Sequence, residues 1–164
     1  MTDELIKRQR RGRITFEEYG LLMAEVIAMR GTCIRRRVGC LLTDGAQREL
    51  STGRNGPATG VTHCIAVPCP GADLPSGEGL DLCQAVHAEA NALLRCPDMR
   101  EARWCFVTHS PCVHCVKLLM NSGVMTIVFR ERYAHDDEAR ALWTNTRGLH
   151  YKWVHMPWGE EGWA

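Results

Sequence analysis

The chain has 164 residues, 45% hydrophobic and 24% charged, with a formal net charge of +1. That length fits one domain with a real core, and the near-neutral charge argues against a general polynucleotide binder and against an acidic disordered tail. No apolar run approaches a membrane span, and the opening MTDELIKRQRRGRITF has no apolar signal core, so a cytoplasmic protein with no membrane partner is expected.

Residues 1–14 are polar and arginine-rich and read as an N-terminal arm. Thr15 and Glu18 form a capping box that opens a helix. Tyr19, Leu22, Met23, Val26 and Ile27 share one face of it, and Gly31 is its expected C-cap. Residues 38–43 (VGCLLT) read as a strand, Asp44-Gly45 as a turn, and 47–54 as the returning strand of a hairpin. Between 53 and 84 glycine and proline are dense and periodicity fades. This insertion is too long to stay unpinned in a compact domain, and it carries Cys64, Cys69 and Cys83. A helix at 84–95, a strand at 104–108, a helix at 112–121 and a strand at 125–129 follow. A helix starts at Asp136 and ends near Gly148, and 150–155 reads as a last strand. The order predicts an α/β domain over 15–155, three layers α/β/α around a mixed sheet of about five strands, with 156–164 as a tail.

Nine cysteines are the loudest feature of the composition. Cys40, Cys96 and Cys105 sit in or beside apolar segments and read as small buried hydrophobes. With an odd count and no export signal, metal ligation explains the others better than disulfides do. His87 and Glu89 open one helix in HAEANAL, and Cys112 and Cys115 open the next in THSPCVHC. The i, i+3 cysteines can face one way, and a helix N-terminus favours the thiolate. One imidazole and two thiolates offer zinc three ligands and leave a fourth position for water, as in a catalytic site. Their charges cancel that of zinc, which brings the pKa of its water towards about 7. Glu89 is placed to shuttle protons rather than to ligate. The combination is the H-x-E…P-C-x-x-C signature of the zinc deaminases. Cys33, Cys64, Cys69 and Cys83 come from separated segments and can hold a closed, structural zinc that clips the insertion, with His63 in reserve.

The stretches TCIRRRVGCLL at 32–42, G-x-NG at 53–56, HC at 63–64, VHAEANAL at 86–93 and SPCVHC at 110–115 resemble the cytidine deaminase superfamily, in its deoxycytidylate deaminase branch. The resemblance implies a cytidine deaminase-like fold and hydrolysis of dCMP to dUMP and ammonia. It implies one catalytic zinc on His87, Cys112 and Cys115, with Glu89 as proton shuttle, and a second zinc of the kind already read from the other cysteines. It places Asn55 near the sugar, and it implies a homo-oligomer, a hexamer foremost, responding to dCTP and dTTP. The Ala88 main chain could donate to the ring carbonyl, the Ser110 main chain accept from the amino group, and Tyr133 close over the base. Asn91 belongs to the helix motif and reinforces the helix or an adjacent loop. The string GRNGPATG departs from the branch at Arg54 and Pro57. Arg35, Arg36, Arg37 and Arg54 are phosphate or effector contacts on one reading, a solvated face or subunit interface on the other. Two other functions compete: deamination of a modified cytosine nucleotide or another cytosine or adenine carrier, and a non-enzymatic protein with two structural zincs.

Overall fold

The first helix, α1 (Phe16–Ala28), starts where its capping box places it in the computed structural model, which describes residues 12–75, 78–148 and 150–158. The Glu18 N–H donates to Thr15 Oγ1 at 3.1 Å, and the Thr15 N–H donates to the Glu18 carboxylate at 2.8 Å. The buried stripe corrects the expected one. It is Gly20, Leu21, Ala24 and Ala28, while Val26 is 61% exposed. The cause is close approach. A Cβ at Gly20 would fall 2.4 Å from the Phe106 ring, and one at Gly39 would fall 2.0 Å from the Ala24 carbonyl oxygen. Only small residues fit that contact, and a hydrophobicity pattern does not weight them. The C-cap is Met29, not Gly31; Gly31 lies beyond it, buried, with its N–H on the Ala28 carbonyl at 2.8 Å.

β1 (Gly39–Thr43) and β2 (Glu49–Arg54) form the expected antiparallel hairpin. Its turn is held by the Asp44 carboxylate, which accepts the N–H groups of Ala46 at 2.8 Å and Arg48 at 2.9 Å. β3 (Gly56–Pro57), β4 (Ala85–Val86), α2 (Ala88–Arg95), β5 (Trp104–His109), α3 (Val113–Met120), β6 (Thr126–Glu131), α4 (Asp136–Arg147) and β7 (Lys152–His155) complete the order. The main sheet runs β2-β1-β5-β6-β7. β1 is antiparallel to both neighbours, and β5, β6 and β7 are mutually parallel, which makes the five-stranded mixed sheet that was expected.

Alternation along the strands divides the core between the two faces. Leu41, Phe106 and Val128 point to α1 and meet Leu21. Cys40, Leu42, Cys105, Val107, Ile127 and Phe129 point the other way and meet Ala88, Ala92, Val116, Leu119, Ala139 and Trp143 of α2, α3 and α4. Each fully buried large side chain contributes about 1.5–3 kcal/mol. Cys40 and Cys105 are buried as expected, their sulfurs 3.6 Å apart, whereas Cys96 is half-buried.

The insertion is pinned at its neck. Gly56 pairs with Val86 and Pro57 with Ala85 in a two-stranded ribbon. This pairing takes residues 85–86 from the helix expected from residue 84, so α2 begins at Ala88. One 3-10 turn, Leu80–Leu82, lies inside the insertion. At the other end, residues 156–158 pack on the domain. The Met156 N–H donates to the Phe129 carbonyl at 2.8 Å, and the Arg130 guanidinium lies 4.2 Å from the Trp158 ring centroid. Most of the expected arm (1–11) and the rest of the tail (159–164) lie outside the described residues. No helix among the described residues is long and apolar enough to cross a membrane.

Candidate active site

β5 and β6 end beside a cavity of about 280 Å³, in the position where open α/β sheets present their ligands. α2 and α3 both begin there. His87 and Cys112 are their N-cap residues, in extended backbone, and neither side chain caps its own helix. Both are therefore free to meet. His87 Nδ1 lies 3.4 Å from Cys112 Sγ and 3.4 Å from Cys115 Sγ, and the three ligand atoms fall within 4.8 Å of one another. Cys115 reaches the same point because it stands one turn into α3.

The group is electrostatically tight. Hydrogen bonds from Cys115 and from His87 hold the Cys112 thiol down at about 3. The same contact with Cys112 lifts His87 to about 9. Cys115, as donor to Cys112 and buried, is pushed up. A soft divalent cation competes for the lone pairs that hold these shared protons, so an imidazole and two sulfurs converging on one spot fit zinc with three ligands. Glu89 stands in the first turn of the same helix, two residues after His87, 4% exposed yet lining the cavity, and burial pushes its carboxyl up.

The rest of the wall comes from several separated segments. Ala88 and Ser110 line it, both buried, and Tyr133 lines it from the loop after β6. Arg35 and Arg36 face it as well, with Arg36 6.0 Å from the Tyr133 ring centroid. Arg37 and Arg54 are not among its lining residues. Arg35 also ties the insertion down, donating to the Pro75 carbonyl and to that of Glu78 at 3.1 Å. Asn55 lines the cavity, but its amide is engaged: Oδ1 accepts the Val38 N–H at 2.9 Å and Nδ2 donates to the Arg36 carbonyl at 2.7 Å. It thereby fixes the backbone that carries Arg36. Asn91 does the same for β2, donating to the Arg54 carbonyl at 2.8 Å.

Sequence reasoning missed two parts of the wall. His109 lines the cavity, between Thr108 Oγ1 at 3.0 Å and Glu131 at 3.0 Å, and burial pushes its pKa down. Its place at the carboxyl end of a parallel strand was the available signal. Ala72, Asp73 and Leu74 of the insertion also line the cavity, and no local pattern marks them.

The four cysteines expected to form a second site surround one pocket without closing into a compact group. Cys33, Cys64, Cys69 and Cys83 line one small cavity of about 10 Å³, near the size of a single water. The sulfurs of Cys64 and Cys69 are 3.8 Å apart. The Gln84 N–H, foremost among several donors, lowers the Cys69 thiol, while burial raises that of Cys83. His63 turns aside to Thr32 Oγ1 at 3.0 Å. Among the described residues, His87, Cys112 and Cys115 are the one compact grouping of metal-ligating side chains. The four-cysteine pocket shares Cys33, Cys83 and Ala85 with the larger cavity.

Residues 14–131 match the family model described as "Cytidine and deoxycytidylate deaminase zinc-binding region". The deoxycytidylate deaminase of Schizosaccharomyces pombe is 34% identical over 136 residues, which are 80% of this chain and 42% of that one, so the chain spans less than half of that relative. The deoxycytidylate deaminase of Mycobacterium phage D29 is 37% identical over 125 residues, 71% of this chain and 95% of that one. Among solved structures, the dCMP deaminase of cyanophage S-TIM5 in complex with dCMP and dUMP superposes with a TM-score of 0.68, at 25% identity, over 88% of this chain and 99% of that one.

Proposed function

Because the chain belongs to the cytidine and deoxycytidylate deaminase family, we propose that it hydrolyses dCMP to dUMP and ammonia. The observation that carries the proposal is the convergence of His87, Cys112 and Cys115 on one wall of a cavity that also holds the buried Glu89. The relatives named for dCMP, and the solved dCMP deaminase, support the choice of substrate.

His87, Cys112 and Cys115 would hold the catalytic zinc, which when bound supplies the Lewis acidity that makes water nucleophilic at neutral pH. Glu89 takes the first proton that the attacking water gives up and hands it to N3 of the pyrimidine; it then takes the remaining proton from the oxygen added at C4 and delivers it to the amine, which leaves as ammonia as the C4–N bond breaks and the C4 carbonyl forms. Burial raises the proton affinity of the Glu89 carboxylate above that of an exposed one, which suits a group that must take up a proton before passing it on. The main chain of Ala88 and of Ser110 and the ring of Tyr133 bound the base, and Asn55 stands towards the sugar. Arg36, and Arg35 behind it, meet the 5′-phosphate. Arg37 and Arg54, outside the cavity, are left for an effector such as dCTP or dTTP. Cys33, Cys64, Cys69 and Cys83 hold a second, structural zinc, supported by their shared ion-sized pocket. The reaction belongs to the cytoplasm, which suits nine free thiols. The assembly is a homo-oligomer, the hexamer first, in which exposed apolar side chains such as Met29 and Val67 would be covered.

The test follows ammonia release by zinc-loaded protein with dCMP, dCTP, deoxycytidine and 5-methyl-dCMP in parallel, beside the Glu89→Gln variant. Selective turnover of dCMP, lost by about 10²–10⁴-fold in the variant while zinc is retained, is the expected result. Turnover of 5-methyl-dCMP alone redirects the reading to a modified nucleotide. Silence on all four with zinc bound overturns it, and unchanged turnover in Glu89→Gln removes the shuttle.

A further inference from the structure

We propose that His109 is a specificity-determining residue of the nucleotide pocket: with both ring nitrogens turned to protein partners it shows the cavity carbon alone, and so leaves the second sugar hydroxyl of a ribonucleotide without a partner. The inference rests on the deaminase reading above. It starts from a polar side chain in the cavity wall that the chemistry does not use.

The ring is held from both sides. His109 ends β5 and stands beside Glu131, the last residue of β6. Glu131 Oε2 lies 3.0 Å from Nε2, and Thr108 Oγ1 lies 3.0 Å from Nδ1. A carboxylate can only accept, so Nε2 carries the ring hydrogen, and the Thr108 hydroxyl donates to Nδ1. Thr108, itself buried, completes the chain by accepting the Gly39 N–H at 3.4 Å. Neither nitrogen is left for a ligand.

The neighbours on the sheet extend this surface. The register of β1 on β5, Cys40 opposite Val107, continues to set Val38 beside His109. The register of β1 on β2, Gly39 opposite Arg54, continues to set Val38 beside Asn55. All three line the cavity. The row leads from the base end to the phosphate end, because His109 precedes Ser110 in the chain and Asn55 Nδ2 donates to the Arg36 carbonyl at 2.7 Å. The sugar therefore lies along it. Val38 brings an aliphatic side chain, and its N–H and carbonyl are taken by Asn55, at 2.9 and 3.1 Å. The Asn55 amide gives one donor and one lone pair to the backbone and keeps one of each. Hydrogen-bonding capacity thus sits at the Asn55 end, where it suits a 3′-hydroxyl. A 2′-hydroxyl is one carbon nearer the base and meets Val38 and His109. Burying it there unpaired costs roughly 10–100-fold in kcat/KM. The competing role is a plain one: His109 ties β5 to β6, adds stability and leaves the sugar unread.

The experiment uses the zinc-loaded full chain and the variants Glu131→Ala, His109→Leu and the two combined. It reads zinc content and the ratio of kcat/KM for dCMP to that for CMP. The parent prefers dCMP by about 10–100-fold. Glu131→Ala removes an exposed side chain, frees Nε2 and lets the ring turn it to the sugar, so the ratio falls about fivefold or more through a gain in CMP. His109→Leu keeps carbon at that place, so the ratio stays within about threefold of the parent's. Beside His109→Leu, Glu131→Ala no longer moves the ratio, because it acts only through the ring. A stabilising tie alone would change both nucleotides together and leave the ratio where it was.

A parent that does not distinguish the two nucleotides, a Glu131→Ala with the parental ratio, a His109→Leu that loses the preference, or a Glu131→Ala effect that persists beside His109→Leu overturns the proposal. If His109→Leu does not fold, Glu131→Ala decides by itself, and an unmoved ratio overturns it. If the parent turns over no cytosine nucleotide, the deaminase reading fails. The affinities of dUMP and UMP, measured by calorimetry on the same proteins, then decide the sugar assignment by themselves, and equal affinities or no binding overturns it.

Discussion

Replacing Gly53 with alanine is expected to empty the first metal centre without touching a ligand. Gly53 lies in β2 beneath α2, and a Cβ there would stand 2.0 Å from the Ala88 carbonyl oxygen and 2.4 Å from the Ala92 nitrogen. These are backbone atoms of the helix whose N-cap is His87, so no side chain can swing away. Ordinary contact begins at 3.4 Å, so α2 must retreat by about 1.4 Å, the difference between 3.4 and 2.0. Zinc–ligand distances tolerate deviations of about 0.2 Å, and a misplacement of about 1 Å costs on the order of 10²-fold in rate. Overpacking also costs about 1–3 kcal/mol of stability. Gly39→Ala is the matched control. Its Cβ would meet the Ala24 carbonyl oxygen at 2.0 Å, but it lifts α1 on the opposite face. Both variants should lose several degrees of Tm, at about 2–4 °C per kcal/mol for a chain of this size. Metal analysis after dialysis, read with dCMP turnover, separates them: Gly53→Ala loses zinc from the first site and Gly39→Ala keeps it. If Gly53→Ala keeps its zinc and its turnover while melting as low as Gly39→Ala, the close approach of α2 to β2 does not set the site.

Arg36→Ala should raise KM for dCMP about 10–100-fold, the worth of one charge-assisted hydrogen bond, and leave deoxycytidine unaffected; equal effects on the two would exclude a phosphate contact. Cys69→Ser should lose one bound zinc while keeping the first site's, with faster proteolysis inside 57–83, and full metal content would refute the four-cysteine clip. Acid unfolding should report Asp136. Burial, the largest single influence, pushes its carboxyl up, but hydrogen bonds from Arg132 and Ser110 and the Arg132 charge outweigh it and hold the group below its usual value. A folded pKa below the unfolded one means that the unfolded chain takes the proton first. The stabilisation is therefore complete above the unfolded value of about 3.9 and is lost as pH falls through the lower folded value. The Tm of the parent should fall more steeply than that of Asp136→Asn below about pH 4, and parallel curves would refute the assignment.

The convergence of His87, Cys112 and Cys115 was legible because its pattern is local. His87 and Glu89 share one helix start, Cys112 and Cys115 share another, and few jobs need those four residue types at those spacings. The capping box of α1 and the start of α4 at Asp136 were legible for the same reason: each is decided by side chains within one turn. The mixed sheet followed from the order of elements. The face of α1 did not, because Gly20, Ala24 and Ala28 are buried by how close the helix can come, and that depends on Gly39 and Phe106 across the contact.

By itself, then, the sequence determined which donors exist, which helices begin with them and which strands alternate. The tertiary structure decided what faces them. It separated Arg35 and Arg36, in the cavity wall, from Arg37 and Arg54. It brought Ala72 to Leu74 into the cavity wall, turned Asn55 to the Arg36–Val38 backbone, and tied Tyr133 to Ser110. All of these are contacts between segments far apart in the chain. Their geometry is set by how two faces of one sheet pack, and no window of sequence contains both partners.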